Sequence, residues 1–425
     1  MSTILAIWLL SIIIFAFFKL KYSIILYTAY LVLVPFLNVN IFGIHLQYNL
    51  INTAIFIGFV LKYHKRIKTI DIQPFKPFLL LFFFYLIMMP FQKEFSFNIW
   101  RSNLMTAILF PLIIWNTHKF DSTIYKPLKK TFIICIAIAM LYGIFLTFIP
   151  GINPYLMIML PLNGGEFNEE YALTGGGRVF GRISSVFGHP MMFGLFICLT
   201  IVYIYYIKKD IKYYGGYLLL LLAIFNSITC GVRSTIIGMI TAIASILILT
   251  KKIKLAIGVI IITLLLSQII QIIPGMEEYV SSISDINNKE QNVNGSSVEM
   301  RLEQLNGALK EIRNCPFVGK GYGWTSNYLL TKGDHPVLLA FESYIFIILC
   351  DNGILGLFAW AFTLILIYKE SRKFKNRGNI IFTLFITYIT YSCVTGEYGY
   401  LKYTILFYVL ILINKDSNNL ALKRQ

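Results

Sequence analysis

The chain has 425 residues, 57% of them hydrophobic and only 13% charged, with a mean hydropathy of +0.71. Soluble domains carry about 25% charged residues, so this composition excludes an ordinary soluble domain and points to an all-α, polytopic integral membrane protein. The formal charge of +17 sits in short loops between apolar runs, which excludes nucleic-acid binding as its explanation.

A crossing helix needs about 20 apolar residues. In chain order, such runs lie near 3–18, 22–37, 41–61, 77–90, 99–115, 131–150, 189–207, 215–229, 234–250, 255–273, 351–368, 378–394 and 399–414. This predicts 13 spans, within a range of 12 to 14 because the first two runs are short. Residues 3–18 lack a basic flank and a small-residue cleavage site, so they read as a span rather than a signal peptide. Basic residues gather at Lys62, Lys65, Arg66 and Lys68, at Lys126, Lys129 and Lys130, at Lys208, Lys209 and Lys212, at Lys251, Lys252 and Lys254, and from Lys369 to Arg377. The positive-inside rule makes those loops cytoplasmic. The N-terminus is then outside, and the tail with Lys415, Lys423 and Arg424 is inside. Five of six cysteines (all but Cys315) fall in or beside spans, so no disulfide framework is implied.

The chain divides into N-terminal transmembrane helices over 1–150, an external loop over 151–188 and central helices over 189–273 that carry an Arg233 hairpin. A large extracytoplasmic loop with amphipathic helices follows over 274–350, then C-terminal helices and a cytoplasmic tail over 351–425. Within the large loop, Ser296 and Glu299 read as a capping box. Val298, Leu302, Leu305, Leu309 and Ile312 then recur at helical spacing, with Arg301 at the border of that stripe, on the flank shared with Ala308. Cys315-Pro316 ends the helix, and Gly319, Gly321 and Gly323 predict a flexible turn; their spacing fits no nucleotide-binding loop. Residues 337–350 are too short to cross and read as a surface or re-entrant helix. No internal repeat is evident, which counts against an inverted-repeat transporter.

Arg182, Arg233 and Arg301 all fall on the external face. At the head of a span, Arg182 reads either as a snorkelling side chain or as a phosphate clamp, since a guanidinium fork matches phosphate oxygens in pairs. Arg233 lies in a minimal hairpin that does not need an arginine, and charge at a membrane edge is functional by default. A charged flank on a loop helix is most simply solvated, so Arg301 is weaker taken alone. Glu342 opens an apolar helix, where it could serve as a general base, pair with an arginine or meet the helix dipole. His189 reads as a structural hydrogen-bonder. Asp334, His335 and Glu397 are external reserve candidates, and Tyr322 and Trp324 are external rings able to stack on sugars. No His/Cys cluster has metal-ligand spacing.

In order, the chain holds Arg182 with Phe187-Gly-His-Pro190, Gly231-Val-Arg-Ser234, Arg301-Leu-Glu-Gln-Leu, Asn314-Cys-Pro-Phe-Val-Gly-Lys-Gly-Tyr-Gly323, Glu342-Ser-Tyr-Ile and Gly353-Ile-Leu-Gly356. This series resembles the O-antigen polymerase and O-antigen ligase superfamily (Wzy and WaaL types). The resemblance implies a GT-C-type membrane glycosyltransferase acting on oligosaccharides carried by undecaprenyl diphosphate, without metal, nucleotide or other cofactor. It also implies that Arg182, Arg233 and Arg301 bind the diphosphate, with Arg301 and Glu342 as catalytic candidates. The ligase branch typically has a His-Asn pair eleven residues before Gly-Ile-x-Gly; here that slot holds Glu342-Ser343. The departure favours an inverting repeat-unit polymerase for O-antigen or capsule-type polysaccharide, facing outward from a bacterial inner membrane. An O-antigen ligase acting on lipid A-core or another anchor is the alternative, and a lipid-linked oligosaccharide flippase the second. Implied partners are the lipid-linked oligosaccharide, membrane lipids and, as an open choice, a chain-length regulator.

Overall fold

The computed structural model describes residues 2–422 except 35, 37, 42–43, 150, 164–181, 253, 255–297, 375–376 and 398. The run at 255–273 and the Ser296 half of the expected capping box therefore lie outside the described residues. In a bilayer every backbone polar group must find an internal partner, and apart from one short hairpin the described elements are helical. Six of the described helical segments are long and apolar enough to cross a membrane: Gln73–Phe91, Phe97–Phe120, Ser122–Thr147, Pro190–Asp210, Tyr344–Arg372 and Gly378–Thr395. Five shorter apolar helices accompany them, over Ser2–Phe18, Leu20–Leu33, Gly215–Thr229, Arg233–Leu249 and Leu401–Asn414.

We number the helices that the site uses. They are α1 (Lys76–Met88), α2 (Phe97–Asn103), α3 (Tyr125–Thr147), α4 (Pro190–Ile207), α5 (Gly215–Thr229), α6 (Arg233–Leu249), α7 (Val298–Glu311), α8 (Trp324–Lys332), α9 (Tyr344–Arg372), α10 (Gly378–Thr395) and α11 (Leu401–Leu422). The centre of the bundle is α4, with 78% of its hydrophobic window inside the protein. Phe132 of α3 packs edge to face on Phe196 of α4 and on Phe407 of α11 there, and those two rings meet each other at a tilt. Small residues let α6 and α10 close on α4: a Cβ on Gly194 would fall 2.5 Å from the Tyr391 hydroxyl, and one on Gly238 2.7 Å from Cys198 Sγ.

Hydrogen bonds sort the connections into two ends. At the lysine-rich end, Lys129 reaches Asp210 at 2.8 Å and Asn414 at 3.2 Å, Asn379 reaches the Leu249 carbonyl, and Lys119 pairs with Asp71. At the other end the loop after α1 meets residues 320–322, and the head of α7 meets the end of α10.

Three expectations need correction. The runs at 22–37 and 41–61 are interrupted: a helix ends at Leu33, an antiparallel hairpin pairs Asn38–Ile41 with Ile44–Gln47, and helix resumes at Tyr48. The cause is alternation, since Val39 faces Leu46 and Asn40 faces His45, a period-2 pattern that apolar counting hides. Second, the buried face of the loop helix α7 takes in only part of the leucine stripe, with Leu305 partly buried and Ile312 1% exposed. Leu302 is 57% and Leu309 47% exposed, whereas Gln304 and Ala308 are fully buried. Gly307 explains the choice: its missing side chain lets residues 337–338 approach to within 2.8 Å of a Cβ position.

Third, the glycine segment is a rigid knot rather than a flexible turn. The N–H of Lys320 donates to Cys350 O and that of Gly321 to Asp351 O, while Ile354 and Leu355 donate back to Pro316 O and Phe317 O. Two further bonds, Glu94 N–H to Lys320 O and Ser96 N–H to Tyr322 O, tie in the loop after α1. These bonds form because α9 breaks at Gly353 (φ 63°, ψ −161°) and frees peptide groups on both sides. The helix itself begins at Tyr344 and runs through the boundary expected at 351. Any Cβ at Gly353 would lie 2.5 Å from Phe317 O.

Gly353→Ala is therefore expected to cost at least about 2 kcal/mol from the left-handed backbone and the clash together. Gly333 has almost the same backbone (φ 74°, ψ −153°) but open space around it, so Gly333→Ala should carry the backbone strain alone, about 1–3 kcal/mol, and cost less than Gly353→Ala. Thermal unfolding in detergent reads the difference; equal losses would show that the close backbone approach is not what demands glycine at 353.

Candidate functional site

The end opposite the lysine-rich loops carries the arginines. Arg182 is exposed and leads into α4. Its strand is fixed from two sides: Ile183 N–H donates to Cys230 O at 3.1 Å, and the buried Asn153 amide donates to Ser184 Oγ and Ser185 O. The first of these bonds joins the Arg182 segment to the hairpin before α6. That hairpin is minimal because Gly231 takes φ 67°, and it leaves Arg233, half-buried, as the first residue of α6.

Arg301 is engaged on several sides. Its Nη1 donates to the Glu342 carbonyl at 2.6 Å and to Gln304 Oε1 at 3.2 Å, and its Nη2 donates to the Val394 carbonyl at 3.0 Å. The same Nη2 lies 3.5 Å from Glu342 Oε2. Val394 belongs to the last turn of α10, where carbonyls lack helical partners. One turn earlier on α10, the Tyr391 hydroxyl donates to Met191 O at the head of α4. The helix heads that follow Arg182, Arg233 and Glu342 thus gather around the end of α10, and the side chains of Arg301 and Glu342 meet directly.

The reserve candidates separate. His335 is a structural residue: its Nδ1 accepts the N–H groups of Val337 and Leu338, its Nε2 faces Glu311 at 3.4 Å, and its ring packs on Tyr328 and Phe341. Asp334 is exposed beside it. His189 caps α4, its Nδ1 accepting from Met191 N–H at 3.2 Å. Burial, with Arg182 nearby, pushes His189 down to about 4. Trp324, expected as a sugar-stacking ring, is only 5% exposed; it packs against Phe341 and Tyr328 beneath the Lys320 ammonium. Among the described residues, no three His, Cys, Asp or Glu side chains converge as a metal site would require.

Sequence reasoning missed a cavity of about 170 Å³ next to this cluster. Tyr85, Tyr322 and Tyr344 form part of its wall, and Asn103, Glu397 and Lys402 bring polar groups to it. Glu397 sits between α10 and α11 and accepts the N–H groups of Gly399 at 3.2 Å and Leu401 at 2.8 Å. Burial pushes its carboxyl up, against the pull of those N–H groups. Just after Asn103, residues Leu104–Leu109 form a π-helical turn, a device frequent at functional sites.

Residues 217–361 match the family model described as O-Antigen ligase. The chain is similar to that family across α5, α6, the large loop and the first half of α9, a stretch that holds Arg233, Arg301, Glu342 and the glycine knot. Arg182, Glu397 and Lys402 lie outside it. The match supports an O-antigen ligase/polymerase-type role in polysaccharide assembly at the superfamily level. No curated protein matches the chain.

His189 gives a pH test. Its proton is held more weakly in the folded state than in the unfolded chain, so the unfolded state takes up protons first as pH falls. Stability is complete above about pH 6.5 and should drain away towards pH 4. Asn is also a good N-cap and does not titrate. The melting temperature of His189→Asn should therefore fall less between pH 7 and pH 4.5 than that of the parent; parallel slopes would remove His189 from the account.

Proposed function

We propose that the protein is a repeat-unit polymerase of an O-antigen or capsule-type polysaccharide, acting on the extracytoplasmic face of a bacterial inner membrane. The donor is a growing glycan on undecaprenyl diphosphate, and the acceptor is a single lipid-linked repeat unit. A hydroxyl of the acceptor attacks the anomeric carbon of the donor sugar. The bond from that carbon to the diphosphate oxygen breaks, the lipid diphosphate leaves with the electron pair, and the hydroxyl proton passes to Glu342. Attack from the face opposite the leaving group inverts the linkage.

The observation that carries this reading is the contact between Arg301 and Glu342 at the end of the bundle where Arg182 and Arg233 also lie. A diphosphate leaves readily only if its growing charge is met by fixed donors, and such electrostatic terms are usually the largest in catalysis. The Arg301–Glu342 pair is long and partly exposed, a class worth about 0–1 kcal/mol. Two phosphate oxygens on the same fork make stronger, charge-assisted bonds. An arriving diphosphate would thus displace the Glu342 carboxylate from Arg301 and release it to take a proton, while the main-chain bonds to Glu342 O and Val394 O keep the guanidinium in place.

A second reading is ligation of the finished glycan to a lipid anchor, favoured by the description of the matching family. The Glu342-Ser343 pair in the slot where the ligase branch carries His-Asn weighs for the polymerase. Phenotype separates the two: loss of a polymerase leaves single repeat units on the surface, whereas loss of a ligase leaves polymer unattached to its anchor.

Arg182→Ala, Arg233→Ala and Arg301→Ala are each expected to lower polymerisation roughly 10²–10³-fold, read as loss of long chains on a surface-polysaccharide gel. Lysine at the same positions should restore activity only in part, because an ammonium cannot make the paired fork. Normal chain length in all three alanine variants would refute the clamp. Glu342→Gln keeps the shape and removes the charge; undiminished polymerisation in that variant would exclude proton transfer to Glu342.

A further inference from the structure

The cavity beside the arginine cluster has its own chemistry. Its position follows from the same chain turns: Tyr344 is two residues after Glu342, and Glu397 is three after Val394, the acceptor of Arg301. It is lined from α1, α2 and α11, whereas the Arg182 and Arg233 segments meet α10 through α4 and α6.

The walls are built rather than left over. Tyr322 is delivered by the glycine knot, its ring 5.0 Å from that of Tyr85, and its hydroxyl is held by the Asn103 amide at 3.0 Å. Asn103 in turn is presented just before the π-helical turn, which also brings Thr106 and Ala107 to the cavity. Glu397 is oriented by two main-chain N–H groups, and Lys402, in the first turn of α11, supplies the opposite charge. The site is therefore close to neutral, and its carboxylate disfavours a phosphate. Aromatic walls with a few convergent polar groups suit a small organic ligand. Ring faces meet C–H surface, while a carboxylate and an amide meet hydroxyls. At about 30 Å³ per water, 170 Å³ holds about six waters, the bulk of one sugar ring rather than of an oligosaccharide.

We propose that this cavity is the acceptor subsite, and that it takes the terminal uncharged sugar ring of the incoming repeat unit, with Glu397 and Asn103 bonding its hydroxyls and Tyr322 and Tyr85 packing on its face. The inference rests on the polymerase reading above. It gives the two lipid-linked substrates separate places: diphosphate of the donor among the arginines, sugar of the acceptor among the tyrosines, and Glu342 to receive the proton.

The test uses the full chain in nanodiscs, with preformed polymer on undecaprenyl diphosphate as donor and radiolabelled lipid-linked repeat unit, isolated from the producing cells, as acceptor. Ala107→Leu adds bulk to the cavity while leaving every polar side chain of its wall in the chain. It should raise the KM for the repeat unit roughly tenfold or more while kcat stays within about threefold, and its melting temperature should match or exceed that of the parent. Glu397→Gln removes one charged hydrogen-bond partner and should likewise raise that KM roughly tenfold. Arg233→Ala should lower kcat instead. If Ala107→Leu leaves the KM unchanged while Arg233→Ala abolishes extension, the cavity is a structural void and the subsite is overturned with the polymerase reading intact. If the parent protein itself does not extend the donor, the polymerase reading falls and the subsite with it.

Discussion

Arg301 is a cation at the end of a bundle whose described spans are nearly free of charge, and the way it is satisfied organises everything around it. Two of its bonds go to main-chain carbonyls, at Glu342 and Val394, that are 41 and 93 residues away in sequence. Val394 O is available because the last turn of a helix leaves its carbonyls without partners and carries the negative end of the helix dipole. One guanidinium thus supplies a partner for the end of α10, docks the loop helix α7 on the bundle and fixes the chain just before α9. The Glu342 carboxylate is delivered to the arginine by the same turn of chain. Main-chain bonds hold the cation, while the side-chain pair with Glu342 is longer and weaker.

The second constraint is the closeness of three backbones around Gly353. A transmembrane helix interrupted at that point exposes peptide groups that lipid cannot satisfy. The segments 92–96 and 315–323 supply the partners, and glycine is required wherever the strands approach closer than a Cβ allows. Gln92 completes the join, its amide donating to Val318 O at 2.7 Å and Asp351 O at 3.2 Å. Asp351 accepts the N–H groups of Gly323 and Thr325 and so starts α8. The product is a closely bonded plug at the arginine-bearing end, with Tyr322 facing the cavity on one side and Trp324 sealed in the small core of the loop on the other.

Much of this was legible in the chain. The clustering of lysines and the placement of Arg182, Arg233 and Arg301 on the opposite loops follow from charge and hydropathy, because a helix in lipid must begin and end where polarity changes. The nature of Arg301 was not legible. Helical spacing of Leu302, Leu305 and Leu309 suggested an apolar face with the arginine at its border, yet the chain packs α7 through Gln304, Gly307 and Ala308. Close approach outweighs leucine area when the partner is backbone. The hairpin at 38–47 was missed because an alternating apolar pattern and a continuous one give similar average hydropathy. Glycines at 319, 321 and 323 suggest freedom by composition but mark close contact in the fold, and the cavity leaves no signal in the chain since its lining comes from five separate stretches.

The sequence by itself determined that this is a helical membrane protein with two chemically distinct ends, and which loops hold the arginines. Those properties depend on local composition and on the unfavourable transfer of charge and free peptide groups into lipid, so they can be read residue by residue. Tertiary structure alone decided that Glu342 meets Arg301, that His335 and Trp324 belong to a small core, and that Glu397, Lys402 and Tyr322 surround one cavity. Each of these depends on helix ends brought together by close packing between segments distant in the chain, and no local pattern records which end faces which.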